Sequence, residues 1–352
     1  MTDFEGVKGG EIVVVESVTS CSVLQQALNA VNSSASAVLV YNRATSTSLL
    51  GVRVRGAGWF PGDPLVQIPV LSISYSVGAT LVSLLNNNTN PVTVSLQTNS
   101  TIFITQTFNV FCETKEGDVN NTIIVGAHLD SVETGPGIND NGSGSSVILE
   151  IFLSLYRFSI PIRNKLIFAW WGSEEEGLLG SRHYVNDLFY NNRSQFNNTV
   201  LNLNFDMLAS PNFIPMVVDT SSLPSSPFKT GSENLKVLLQ QIITKNGYNY
   251  SLAGPSGTDF LPFLENQIPA NGLQAGAGSM KTMQDRESFG GLADAALDTC
   301  YHRRCDTVKN VDLPCLTLLS QTAAFAIQCL SNMKDLKSFL FKPNLTSPID
   351  YC

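Results

Sequence analysis

Three short apolar runs, at residues 122–127, 165–171 and 199–205, constrain this chain more than any other feature. Their length and Val/Ile/Phe/Trp content read as buried β-strands. Between the first two, Gly142–Ser159 (GSGSSVILEIFLSLYRFS) has the apolar spacing of a helix. A strand–helix–strand unit implies a parallel sheet, and open parallel sheets bind ligands beyond the carboxyl ends of their strands. Each run ends there in polar residues: His128 with Asp130, Glu174 with Glu175, then Asp206. Core packing does not call for such residues. A site does.

The rest of the chain falls into two regions. Residues 1–98 carry short β-type runs (EIVVV, AVLVY, VRVRGAGWF, VQIPVLSISY) and helices at Val23–Val31 and Val77–Leu85, with no ligand constellation. They read as a compact, β-rich accessory domain closed by the polar stretch NNNTNP at 86–91. Residues 99–352 read as α/β: a doubly wound, mostly parallel sheet with helices on both faces. An edge strand is expected at 93–97 and a further run at 101–110. A helix is expected within Ser226–Asn246, and 256–273 reads as loop, short helix, turn and buried strand. The Gly-rich 276–291 reads as a surface loop, and Leu313–Met333 as a long closing helix.

Composition narrows the setting. A hydrophobic content of 43% in 352 residues supports a real core, and a net charge of −8 argues against nucleic acid or an anionic membrane as partner. No purely apolar run reaches the ~20 residues of a membrane span, and the first residues lack the basic and apolar stretches of a signal peptide. Asn-x-Ser/Thr sequons at Asn32, Asn87, Asn99, Asn120, Asn141, Asn192, Asn197, Asn249 and Asn344 point instead to the secretory route, as does a charged fraction of only 14%. The expected setting is secreted, lysosomal or vacuolar, with the leader cleaved or omitted. Asn141, inside the candidate site, is expected to be bare. Of the seven cysteines, Cys300 and Cys305 are close enough to bridge around His302; Cys315 and Cys329 are either a second pair or core residues.

His128, His183 and His302 are the only histidines. A lone histidine is more often structural, and His183 keeps that reading. His128 ends a buried strand, with Asp130 placed to take its ring N–H and fix the tautomer. Asp140 lies in a glycine-rich turn, where an N-cap role competes with a ligand role. Adjacent carboxylates after a Trp-rich buried strand repel unless a cation takes up their charge. An unpaired Asp206 at a strand end would cost several kcal/mol. A metal answers both objections. Two histidines and three carboxylates suit zinc, with cobalt and manganese as weaker candidates. Five ligands exceed one tetrahedral ion but fit two zincs sharing a carboxylate. Such a pair activates water for amide hydrolysis, with one of the paired glutamates as general base.

The motifs GAHLDS, GPGINDNGSG, FAWWGSEEEGLLGS, LNFDMLASPN, SGTDFLPF with IPANGL, and CYHRRCD occur in this order over roughly 122–310. Together they resemble the co-catalytic zinc aminopeptidase family of secreted bacterial enzymes and fungal vacuolar aminopeptidase Y. That resemblance implies a zinc-exopeptidase fold and two zinc ions per chain. His128 and Asp206 would hold one zinc, Glu175 and His302 the other, and Asp140 would bridge them. Asp130 would orient His128, Glu174 would be the general base, and Tyr301 would hydrogen-bond the oxyanion. The substrates implied are peptides with a free N-terminus. Residues 1–98 resemble the protease-associated domain of some members, a non-catalytic lid over the cleft, and 99–352 the peptidase domain.

Two departures stand out. Gly257 occupies a position where bacterial relatives commonly carry Arg, and the helix that precedes the inserted domain in the family is expected to be absent from residues 1–352. Carboxypeptidases, dipeptidases and single-zinc glutaminyl cyclases share the fold, as do receptor-like proteins that have lost ligands. Here all five ligands and the base are in place, which favours an enzyme.

Overall fold

In the computed structural model, residues 4–18, 21–43, 49, 65–87, 91–99 and 105–352 are described. The chain divides into two compact units, Met1–Thr105 and Gln106–Cys352.

The first unit contains β1 (Ile12–Glu16), α1 (Val23–Asn32), β2 (Ala37–Tyr41), β3 (Val70–Ile73) and α2 (Tyr75–Asn87). Its three strands pair in parallel in the order β1-β2-β3. Ser22 caps α1 by accepting the Gln25 N–H at 3.2 Å, and Ala30, Ala35, Val38 and Val40 form a small core. The expected run VRVRGAGWF lies outside the described residues. The expected strand at 93–97 is not formed: residues 91–99 carry no regular secondary structure.

The second unit carries the large sheet. In chain order it contains β4 (Val110–Glu113), β5 (Asp118–His128), α3 (Gly144–Arg157), β6 (Asn164–Trp171), α4 (Leu179–Asn191), α5 (Arg193–Asn198), β7 (Thr199–Phe205) and β8 (Met216–Val218). There follow α6 (Pro227–Lys245), β9 (Ser251–Ala253), α7 (Leu261–Glu265), β10 (Ala270–Gln274), β11 (Met280–Lys281), α8 (Met283–Phe289), β12 (Ala295–Ala296), α9 (Leu313–Asn332) and α10 (Leu336–Phe341). The strand order is β4-β6-β5-β7-β10-β8-β9; β6, β5, β7 and β10 are mutually parallel, while β4 and β8 run antiparallel to their neighbours β6 and β10.

The central strands β5 and β6 are mostly apolar because their period of two sends alternate side chains to two covered faces. Strand β7 keeps Asn202 and Asn204 buried on hydrogen bonds to the Ile124 carbonyl and to Thr258. Ile123, Val125, Ala127, Leu166, Phe168 and Trp170 point to one face, where they pack with α3, α6, α9 and α10. Ile124, Ile167, Ala169 and Trp171 point to the other, against Val185 of α4 and Phe263 and Leu264 of α7. Phe168 and Trp171 are both fully buried, and complete burial of a side chain of Phe size contributes roughly 1.5–3 kcal/mol. The connection after β5 leads to β6 on one side, and the next strand, β7, pairs on the other. That reversal opens a crevice at the carboxyl ends of β5, β6 and β7.

Two sequence expectations are corrected in this unit. Residues 276–291 are not a plain loop: β11, α8 and β12 form a small lobe, with Thr282 and Asp285 making a capping box at the start of α8. Cys329 pairs with Cys352 rather than Cys315, and Cys315 is a free, buried thiol whose Sγ donates to the Leu208 carbonyl at 3.3 Å. Helix α9 is long and apolar enough to cross a bilayer by length and composition, but half of that stretch is buried inside the fold, with Leu319, Ala323 and Leu330 fully covered.

An apolar cavity of about 580 Å³ lies between α3 and α9, lined by Val147, Ile151, Leu155, Leu316 and Ala324. It holds none of the ligand-type residues singled out above, so the site is found by its side chains rather than by this hollow.

Candidate metal centre

His128 is the last residue of β5 and is 1% exposed. Its Nδ1 lies 3.1 Å from the Asp130 carbonyl and 3.7 Å from Asp130 Oδ1. That leaves Nε2 pointing into the crevice. Asp130 acts a second time: its two carboxylate oxygens accept the N–H groups of Glu174 at 2.9 Å and Glu175 at 3.2 Å. One aspartate thus fixes the ends of two neighbouring strands.

Asp206 follows β7, and Asp140 reaches it from the turn before α3. This approach depends on Gly144, because a Cβ there would sit 2.3 Å from the Phe205 carbonyl. Asn141 completes the join by donating to that carbonyl at 2.9 Å and accepting from Gly144 and Met207. Asn141 is 1% exposed, so its sequon has no room for a glycan. His302 arrives from the far end of the chain, in the loop closed by the Cys300–Cys305 disulfide. Its ring stacks on Tyr301 at 3.7 Å between centroids.

Among the described residues, two groups of ligand-type atoms lie close enough to share an ion: His128, Asp140 and Asp206; and Asp140, Glu175 and His302. Asp140 belongs to both. Its Oδ1 is 3.3 Å from His128 Nε2, and its Oδ2 is 3.2 Å from His302 Nε2. Asp206 Oδ1 lies 3.3 Å from His128 Nε2, and Glu175 Oε2 lies 3.0 Å from His302 Nε2. Glu174 is buried beside both triads but is a member of neither. His183 is exposed on α4 and outside the cluster.

The donor set fits a divalent cation. Three carboxylates converge on two imidazoles, and Glu175 Oε1 is buried with no hydrogen-bond partner. Burial without a partner costs a polar atom about 1–3 kcal/mol, more for a charged one. Lone pairs left free in this way are what a metal takes up.

The charges show the same strain. Burial, then the Asp206 charge, pushes the Glu174 carboxyl up to about 10; burial, then the Asp140 charge, pushes Glu175 up to about 7. Burial opposes a charge on His128, but Asp206 and hydrogen bonds to the surrounding aspartates outweigh it and raise the ring well above its ordinary value. Burial likewise opposes ionisation of Asp130, and its hydrogen bonds from His128, Glu174 and Glu175 hold it below the usual range.

A sign follows for the metal-free protein. Glu174, Glu175 and His128 all bind protons more tightly folded than unfolded, so between about pH 5 and 8 the native state holds more protons than the unfolded one and loses stability as pH rises. Chelated protein is predicted to show a falling Tm across that window, and added divalent metal to flatten the fall. A Tm that stays level or rises in the chelated sample would refute this.

Sequence reasoning did not single out the residues behind these ligands. Asp298, Asp306, Asn139 and Asn310 form a buried network under the cluster. Asp259 is fully buried, accepts from Ser181 at 2.5 Å, and burial raises it to about 7. The signals available were their places in the quoted motifs: Asn139 in GPGINDNGSG, Asp259 in SGTDFLPF and Asp306 at the end of CYHRRCD.

A doubly wound sheet with two overlapping carboxylate–histidine triads at its switch point is the architecture of the zinc-exopeptidase fold class. Solved structures bear this out at the level of fold. The aminopeptidase from Aneurinibacillus sp. strain AM-1 is 20% identical with a TM-score of 0.63, covering 93% of this chain and 71% of its own. The zinc aminopeptidase from Bacillus subtilis is 24% identical with a TM-score of 0.57, covering 97% and 75%.

The profile of peptidase family M28 matches residues 109–327, and that of the PA domain residues 2–81. The chain belongs to peptidase family M28. It is 35% identical to leucine aminopeptidase 2 of Trichophyton rubrum over 347 residues, 97% of this chain and 66% of that protein. It is 34% identical to an aminopeptidase of Pseudomonas aeruginosa over 340 residues, 94% of this chain and 59% of that one. The chain therefore spans slightly under two-thirds of the length of these relatives.

Proposed function

We propose that this chain is a zinc metalloaminopeptidase that removes N-terminal residues from peptides, with residues 1–98 as an accessory domain and 99–352 as the catalytic domain. The observation that carries the reading is the shared Asp140, whose two oxygens face different histidines. In this reading His128 and Asp206 hold one zinc, Glu175 and His302 a second, and Asp140 bridges them. Bound zinc would lower the pKa of water and polarise the scissile carbonyl.

The chain's own residues do the rest. Asp130 holds His128 with Nε2 inward and anchors the backbone of Glu174. Glu174 takes a proton from the attacking water as oxygen bonds to the carbonyl carbon, and returns it to the amine as the C–N bond breaks. The positive charge of bound cations opposes the burial and repulsion that otherwise keep Glu174 protonated. Tyr301, stacked on His302 and pushed up in pKa by burial and then by the Asp140 charge, keeps its phenolic proton and donates a hydrogen bond through it to the carbonyl oxygen as charge develops there. The disulfides Cys300–Cys305 and Cys329–Cys352 support a secreted or vacuolar setting, since such bridges persist in oxidising compartments.

The test is hydrolysis of leucine p-nitroanilide beside its N-acetylated counterpart, with chelator and then with zinc restored. Cleavage of the free-amine substrate alone, lost on chelation and regained with zinc, is the expected result. Two bound zincs without cleavage of either substrate would overturn the aminopeptidase reading and redirect the search to carboxypeptidase and dipeptidase substrates.

A further inference from the structure

We infer that Asp306 is a positioning residue that sets the bridging geometry of Asp140 by gripping its backbone. This rests on the metal-centre reading above and deepens it. Asp306 stands four residues after His302 and is 2% exposed. Its Oδ1 accepts the Asn139 N–H at 2.9 Å and its Oδ2 accepts the Asp140 N–H at 3.1 Å. The Asp306 carbonyl accepts the Ile138 N–H at 3.2 Å. Three successive backbone N–H groups of the Asp140 turn are thus held by a single residue of the His302 loop.

The grip extends to the third ligand segment. Asn139, fully buried, donates to Asp298 Oδ2 at 2.7 Å and to Ser210 Oγ at 3.1 Å, and accepts the Ala209 N–H at 3.0 Å. Asn310 donates to Asp298 at 3.0 and 2.9 Å and to Asp306 Oδ1 at 3.2 Å. The turn of Asp140, the segment after Asp206 and the loop of His302 are therefore tied together beneath the cluster. Two buried carboxylates persist there on N–H donors alone, and charge-assisted bonds of this kind are roughly twice as strong as neutral ones.

The consequence for Asp140 is geometric. Its side chain must present one oxygen to each histidine, which fixes its rotation about the bridge. Two adjacent N–H groups held by two oxygens of one rigid carboxylate fix the backbone from which that side chain leaves. Partners behind a ligand typically tune metal affinity or activity by about 10- to 100-fold.

The test compares wild type, Asp306→Asn and Asn310→Ala in the full chain, each stripped of metal and titrated with zinc by calorimetry. Asp306→Asn keeps the shape but turns one acceptor into a donor facing a backbone N–H. Asn310→Ala loosens the network while leaving both grips on the Asp140 turn. Both variants should lower the metal-free Tm. Only Asp306→Asn should weaken zinc binding about 10- to 100-fold, lower kcat by a similar factor with KM changed less than about threefold, and shift the visible spectrum of the cobalt-loaded protein. If Asp306→Asn fails to fold, Asp306→Glu takes its place, with the same weakening expected because its longer stem displaces the turn. Equal loss of zinc affinity in Asp306→Asn and Asn310→Ala would mean general loosening of the loops and overturn the inference. So would wild-type affinity in Asp306→Asn. A wild type that binds no zinc would overturn the metal-centre reading itself, and this inference with it.

Discussion

Glu174→Gln is expected to leave less than about one-thousandth of wild-type turnover on leucine p-nitroanilide, within the range a positioned general base supplies, while retaining both zinc ions. The amide matches the carboxylate in shape, and its backbone N–H still meets Asp130 Oδ1 at 2.9 Å. Glu174 also lies outside both triads, so no ligand atom is lost. Only the capacity to take up a proton disappears. Elemental analysis of the variant beside its kcat is the decisive pairing. Turnover above about one-tenth of wild type would assign the base to another group, because a factor of ten corresponds to only ~1.4 kcal/mol of barrier. Loss of metal along with activity would mean that Glu174 supports the ligands instead.

Asp140→Ala should do the converse and empty the site. Because both triads share this aspartate, its removal leaves each with two ligand residues. Zinc stoichiometry is expected to fall from two to below one, with turnover undetectable. The rise in Tm that zinc gives the wild type should vanish as well, since a ligand stabilises only the form that binds it. His302→Ala provides the contrast: it touches one triad, so one ion should remain beside His128. An Asp140→Ala protein that still holds two zincs would rule out the bridge.

Much of this was written in the local sequence. The runs at 122–127, 165–171 and 199–205 lie within β5, β6 and β7, because strands covered on both faces are apolar at most positions. The polar residues ending those runs stand out against that background, and the structure draws His128, Asp140, Glu175, Asp206 and His302 together. What escaped depends on partners distant in the chain. The lobe at 276–291 has no period to read; Lys281, 1% exposed, secures it by donating to the carbonyls of Phe213 and Gly290. Cys329 found Cys352 because the end of the chain returns past α10, a path that spacing alone does not reveal. Asp298 and Asp306 look like ordinary loop acids until the turn of Asp140 is laid over them.

The spread of the ligands along the chain bears on how the protein matures. His128 and His302 come from opposite ends of the second unit, and Asp140, Glu175 and Asp206 each leave a different connection of the sheet. A zinc finger gathers its ligands from one short stretch, so metal can nucleate its folding. Here the first triad spans residues 128–206 and needs β5 paired with β7, and the second adds Glu175 after β6 and His302 from a far loop. Contacts of such long sequence separation form slowly. Metal capture is then expected to be a late event, following the pairing of β5 with β7.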